Sequence, residues 1–185
     1  MKSVMTNQEY FNHVQQPQIQ RSKFDRSSGL KTTFNVGYIY PIFVDEALPG
    51  DTFNMNANFF GRLSTPLKPI MDNMYIDVHF WSVPNRLVWD NWAKFNGEQD
   101  NPGDSTNFIM PTTTSPAGSG YGEASLHDYM GIPTKIPGLT HRADFLRAYA
   151  LIWDKWYRDE NLVPQYPFLV PKGDGPDNPT YQKLS

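Results

Sequence analysis

Residues 52–59, TFNMNANF, alternate without a break: Phe53, Met55, Ala57 and Phe59 fall on one side, Asn54, Asn56 and Asn58 on the other. Successive side chains of a strand point to opposite faces, so this pattern predicts a half-buried strand with a wet or interface-forming outer face. The same period recurs on either side. In TFNVGYIYPIFV (33–44), Phe34, Val36, Tyr38, Tyr40, Ile42 and Val44 share a face, while Ile39 and Phe43 put apolar surface on the reverse. Pro41 removes one ladder donor there, which favours an edge position or a bulge. In 73–83, Met74, Ile76, Val78 and Phe80 form one face and Tyr75, Asp77, His79 and Trp81 the other. Pro49-Gly50 suits a type II turn, and STPLKP forms a second proline-rich joint. Strands near 33–44, 52–63 and 73–83 are thus joined by connections too short for crossover helices. Antiparallel pairing in an all-β barrel or sandwich is the natural outcome.

The period then changes. PNRLVWDNWAKFNG predicts a short helix over 85–96, with Pro84 at its start and Gly97 as its stop. HRADFLRAYALIWDKWYRDEN predicts a longer helix over 141–160, with Phe145, Ala148, Tyr149, Ile152 and Trp156 as its apolar stripe and Leu146 and Trp153 widening it. Thr140 would cap it, Asp154 would pair with Arg158, and Arg142 and Arg147 read as a solvated flank. The segments 97–140 and 161–185 are dense in breakers and read as long loops. Within them LHDYMG offers one helical turn and QYPFLV (165–170) a fourth strand.

Composition narrows the function classes. A charge of −3 argues against a protein that binds nucleic acid over most of its surface, so any phosphate contact must be local. The absence of cysteine removes disulfides, thiolate metal sites and a cysteine nucleophile. An aromatic share of 15%, with 16 prolines and 13 glycines, predicts large buried surfaces linked by stiff, irregular segments. No stretch reaches the apolar length of a membrane span, so no membrane insertion is expected. Residues 1–30 form a polar N-terminal arm, in which RSKFDRSSGLK concentrates Arg21, Lys23, Arg26 and Lys31. Such a run is either a solvated arm or one laid against a neighbour or an anionic polymer.

The strongest chemical motif is the acid–histidine pair in DNMYIDVHFW. Asp77 and His79 stand two apart and would share a strand face, which could supply two ligands of a facial metal triad. The other histidines lie in the arm (His13), in a breaker-rich loop (His127) and at a helix start (His141), so no third ligand suggests itself. No phosphate-binding glycine loop or nucleophile elbow is present. An enzyme reading therefore rests on Asp77 and His79 alone, and a carbohydrate-binding jelly roll would need an exposed aromatic platform.

The strings RSKFDRSSGLKTTFNVGYIYPIFVDEALPGDTFNMNANFFGRLSTPLKPIMDNMYIDVHFWSVPNRLVWDNWAKFNGEQ (21–99) and RAYALIWDKWYRDENL (147–162) resemble the major capsid protein of gokushoviruses, microviruses with single-stranded DNA genomes. The resemblance implies a viral jelly roll, an antiparallel β-sandwich with long loop insertions, of which residues 31–185 would be the N-terminal part. A jelly roll needs about eight strands, so the barrel would close with strands beyond those found here. It also implies a structural, non-catalytic role without cofactors: copies assemble into a small icosahedral shell around circular single-stranded DNA, in the virion, with other virion proteins and a host surface receptor as further partners. On that reading Arg21, Lys23, Arg26 and Lys31 would meet the genome, and Trp89, Trp92, Trp153 and Trp156 would anchor the core or the subunit contacts. Asp77 and His79 become the polar side of a capsid strand.

Overall fold

A computed structural model describes residues 19–164, 172–177 and 181–184. The expectations for QYPFLV, His13 and the first eighteen residues of the arm lie outside these. Two units divide the chain, Met1–Thr32 and Thr33–Ser185. In the first, the described residues are exposed and form neither helix nor strand, and Asp25 accepts hydrogen bonds from the Ser27 amide and hydroxyl.

In the second unit the elements run α1 (Asn85–Val88), α2 (Trp92–Phe95), β1 (Thr112–Thr114), α3 (Leu126–Tyr129), β2 (Thr140–Arg142) and α4 (Asp144–Trp156). β1 and β2 pair antiparallel, Thr112 opposite Arg142 and Thr114 opposite Thr140. A single parallel bridge adds Asp177 beside Thr113, its amide donating to the Thr112 carbonyl. The breaker-dense stretch 97–140 is therefore not a structureless loop: it supplies both a strand and a helical turn to the centre of the unit. Its prolines and glycines shape tight returns, and short elements survive between them because each end is bonded to a neighbour. Ser115 shows this, its hydroxyl donating to the Ile136 carbonyl and accepting from the Leu139 amide.

Two expected helices differ in extent from the structure. The one over 85–96 is broken into α1 and α2 by Trp89, whose backbone is extended at φ −144°. That break turns the indole inward, where it is buried and its Nε1–H donates to Asp174 at 2.7 Å. The helix over 141–160 begins only at Asp144, because Thr140–Arg142 is taken by β2; Thr140 bonds the hydroxyl of Thr114 rather than capping. Its buried side is also rotated from the predicted stripe. Leu146, Arg147, Tyr149, Ala150, Trp153 and Asp154 face inward, and Trp156 is exposed. Arg147 and Asp154 can lie inside because each meets an opposite charge, so charge does not mark the wet face of this helix.

The core joins Leu126 of α3 to Leu146, Tyr149 and Ala150 of α4 and to Tyr181, with Ile39, Met130, Leu151 and Leu184 packed around them. The segment 181–184 acts as a clasp. The Ile39 amide donates to the Leu184 carbonyl, the Leu184 amide to the Tyr149 hydroxyl, and that hydroxyl to the Ile39 carbonyl. Lys183 places its ammonium about 5.5 Å from the ring centres of Tyr38, Tyr40 and Tyr129, a cation held by three aromatic faces.

Where strands are expected at 33–44, 52–63 and 73–83, the described residues form no ladder with one another or with β1 and β2. Alternation specifies which faces want cover, whereas a ladder needs a neighbouring strand, and no described segment of this chain takes that place.

Candidate functional site

The largest chemical asset of the chain is the apolar surface along 33–83. Phe53, Met55 and Phe59 lie exposed on the face that alternation marks for burial, and Phe60 is 93% exposed on the other. Phe34, Val36, Ile42, Val44, Met74, Ile76 and Phe80 repeat the pattern in the flanking segments. Fully covering a side chain of this kind is worth about 1.5–3 kcal/mol, so these partly uncovered ones together hold a large driving force for association. Exposed apolar surface on this scale marks an interaction face.

At the edge of that surface stands an aromatic group. Trp81 and Trp156 have ring centres 4.7 Å apart at 49°, and Tyr157 and His79 approach Trp81 at 6.3 and 6.2 Å. Trp156 is 69% exposed. The described ring neighbours of His79 are Trp81 and Tyr157, and both His79 and Asp77 lie in solvent. Among the described residues, no three His, Cys, Asp or Glu side chains gather closely enough to hold a metal ion. The pair singled out by its spacing is thus brought beside aromatic rings, not beside further ligands.

The other three tryptophans occupy different depths. Trp89 and Trp153 are buried, and Trp92 is half-buried with its ring 6.0 Å from Trp89. Asn91 joins Trp89 in donating to Asp174, and these hydrogen bonds hold the Asp174 carboxyl below the usual range. Arg21, Lys23, Arg26 and Lys31 are all exposed within the first unit.

Sequence reasoning missed the charge that organises the interior. Arg147, read as part of a solvated flank, is fully buried. Its Nε and Nη2 donate to the two oxygens of Asp177 at 2.8 and 2.6 Å, its Nη1 to the Val88 carbonyl and its Nη2 also to the Gly173 carbonyl. The Tyr181 hydroxyl completes the set by donating to Asp177. Burial opposes the guanidinium charge, but the bonds to Asp177 outweigh it and keep Arg147 protonated above its ordinary range. Arg142, half-buried, donates to both Glu46 and Asp144. Asp177 sits in a turn-rich string, GDGPDNP, where nothing in the spacing distinguishes a core anion from a turn former. Arg147 thus ties α4 to α1 and to the segment 173–177, and the aromatic group rests on a helix whose position is fixed.

Comparison with known proteins agrees with this picture of a surface made for association. Residues 12–184 match the family described as Capsid protein (F protein). Capsid protein VP1 of Bdellovibrio phage phiMH2K is 52% identical over 172 residues, which cover 93% of this chain and 32% of that protein. Capsid protein VP1 of Chlamydia phage 1 is 46% identical over 97% of this chain and 31% of its own length. That of Spiroplasma virus 4 is 37% identical over 78% of the chain and 26% of its own. The chain spans about a third of the length of the curated relatives it matches. With the family match running over nearly its whole described length, the chain belongs to the Capsid protein (F protein) family.

Proposed function

We propose that the chain is part of a major capsid protein, copies of which assemble into a small icosahedral shell enclosing circular single-stranded DNA. The observation that carries this reading is the exposed apolar alternation along 33–83, in a chain of a capsid family. On this reading 33–44, 52–63 and 73–83 are strands of a jelly roll, an antiparallel sandwich, and acquire their ladders from further capsid-protein sequence. The tilted Trp81–Trp156 pair serves as a subunit contact. Rings inclined at 49° do not offer the flat platform on which a sugar would stack. Catalysis and cofactors have no part in the role, and buried area between copies supplies the energy. The work of the protein is done in the virion, with assembly in the bacterial host cytoplasm, alongside other virion proteins and with a host surface receptor as a further partner. No helix among the described residues is long and apolar enough to cross a membrane.

Sedimentation of the purified 185-residue chain tests the central point. Concentration-dependent association into large species is expected. A monodisperse monomer at every concentration would overturn the reading, since it would mean that the apolar faces need no partner.

A further inference from the structure

We propose that Tyr121, His127 and His141 form an acid-sensitive latch, which holds α3 against the β1–β2 ladder at neutral pH and releases it in acid. The inference stands apart from the assembly reading, because every group in it lies inside one chain.

The His127 ring is 3% exposed and stacks face to face on Tyr121, with ring centres 3.7 Å apart and planes within 9°. Tyr121 in turn shares a 2.9 Å hydrogen bond with Nε2 of His141, and Nδ1 of His141 lies 2.9 Å from the Arg142 carbonyl. With Nδ1–H donating to that carbonyl, Nε2 accepts from the Tyr121 hydroxyl, so a neutral His141 is fully satisfied. His127 differs: its Nε2 is buried and meets no hydrogen-bond partner among the described residues. The ring works there as a neutral aromatic plate between α3 and β2.

A proton on Nε2 of His127 would meet no acceptor among the described residues. The titratable groups facing it are the Tyr121 phenol and the His141 ring, whose centre is 6.1 Å away. On β1, Thr113 stands opposite His141, is buried and carries no charge. The nearby carboxylates are engaged elsewhere: Asp128 of α3 accepts from the Ala124 amide, and Glu123 pairs with Lys135. Arg142 of β2 is held by Glu46 and Asp144. Burial first, and then the charge of His141, pushes the His127 imidazole down from 6.5 to about 4.

The sign follows from linkage. The opened state takes up the proton near pH 6.5 and the closed state only near 4, so the latch is at full strength above 6.5 and weakens as pH falls through this window. Its opening equilibrium should rise about tenfold per pH unit there, roughly 300-fold in all, and level off below.

Hydrogen exchange of the whole chain, corrected for the intrinsic rate at each pH, reads this directly. Residues 121–132 should lose protection about tenfold per unit from pH 6.5 to 4, while 144–156 of α4 serves as the internal reference. In His127→Phe, which keeps the stack but cannot take a proton at this position, the slope should fall well below that of the native chain. A flat profile in the native chain, or an unchanged slope in the variant, overturns the proposal. Should the variant fail to fold, the His127 Cε1 proton in the native chain decides by NMR: a midpoint near 4 supports the latch, and one at 6 or above overturns it.

Discussion

The fate of individual charges sets much of what the chain can do. Arg147 has its guanidinium bonded on every side, to Asp177 and to two backbone carbonyls. Breaking a buried pair leaves the surviving charge uncompensated, and that outweighs the loss of the contact itself. Arg147→Met should therefore cost about 3–5 kcal/mol in denaturant unfolding. Arg147→Lys should recover little of this, because an ammonium cannot serve a carboxylate bidentately while reaching carbonyls on two other segments. Asp77 and His79, by contrast, stand exposed among rings, and no comparable cost attaches to them. Spacing alone had promoted the second pair and passed over the first. An i, i+2 motif is visible in one dimension, whereas a partner thirty residues away is visible only after folding.

Among the elements, helix type was readable and extent was not. Apolar spacing places a helix near α4, but its start depends on Thr140–Arg142 pairing with β1, a contact set by the return of the chain from residue 114. The same competition splits α1 from α2, where burying Trp89 wins over one more helical turn. The segment 172–177 is the least predictable part, since its sequence reads as turns throughout. Its fit against β1 is close: a Cβ on Gly175 would come within 2.7 Å of the Thr112 amide nitrogen and 2.9 Å of the Pro111 Cα. Gly175→Ala should thus push the segment off β1 and strain the Arg147–Asp177 pair, at about 1–3 kcal/mol. Gly118→Ala, where the added methyl meets nothing within 4 Å, should stay within about 0.5 kcal/mol. Thermal unfolding of the two variants side by side checks the contrast.

For the whole molecule, the controlling fact is the contrast between a well-bonded centre and an apolar surface left open along 33–83. On the proposed capsid role that surface would be an assembly face, and the exposed cations of the first unit would be the residues proposed to meet DNA. Replacing Arg21, Lys23, Arg26 and Lys31 together with Gln should lower the slope of binding against salt by roughly 3, at about 0.7 per cation for single strands. Fluorescence titration with a single-stranded oligonucleotide over a salt series measures it, and an unchanged slope would remove these residues from the genome contact.

By itself the sequence determined the capsid resemblance, the faces that want cover and the neighbourhood of the main helix. All of these are written in local strings and in periodicity, which the chain carries before it folds. Only the tertiary structure decided that Arg147 lies inside with Asp177, that 97–140 builds the centre of its unit, and that Tyr121, His127 and His141 meet. Those outcomes depend on contacts between residues far apart in the chain, and the energy of a buried charge or an unpartnered ring nitrogen is set by what folding places beside it.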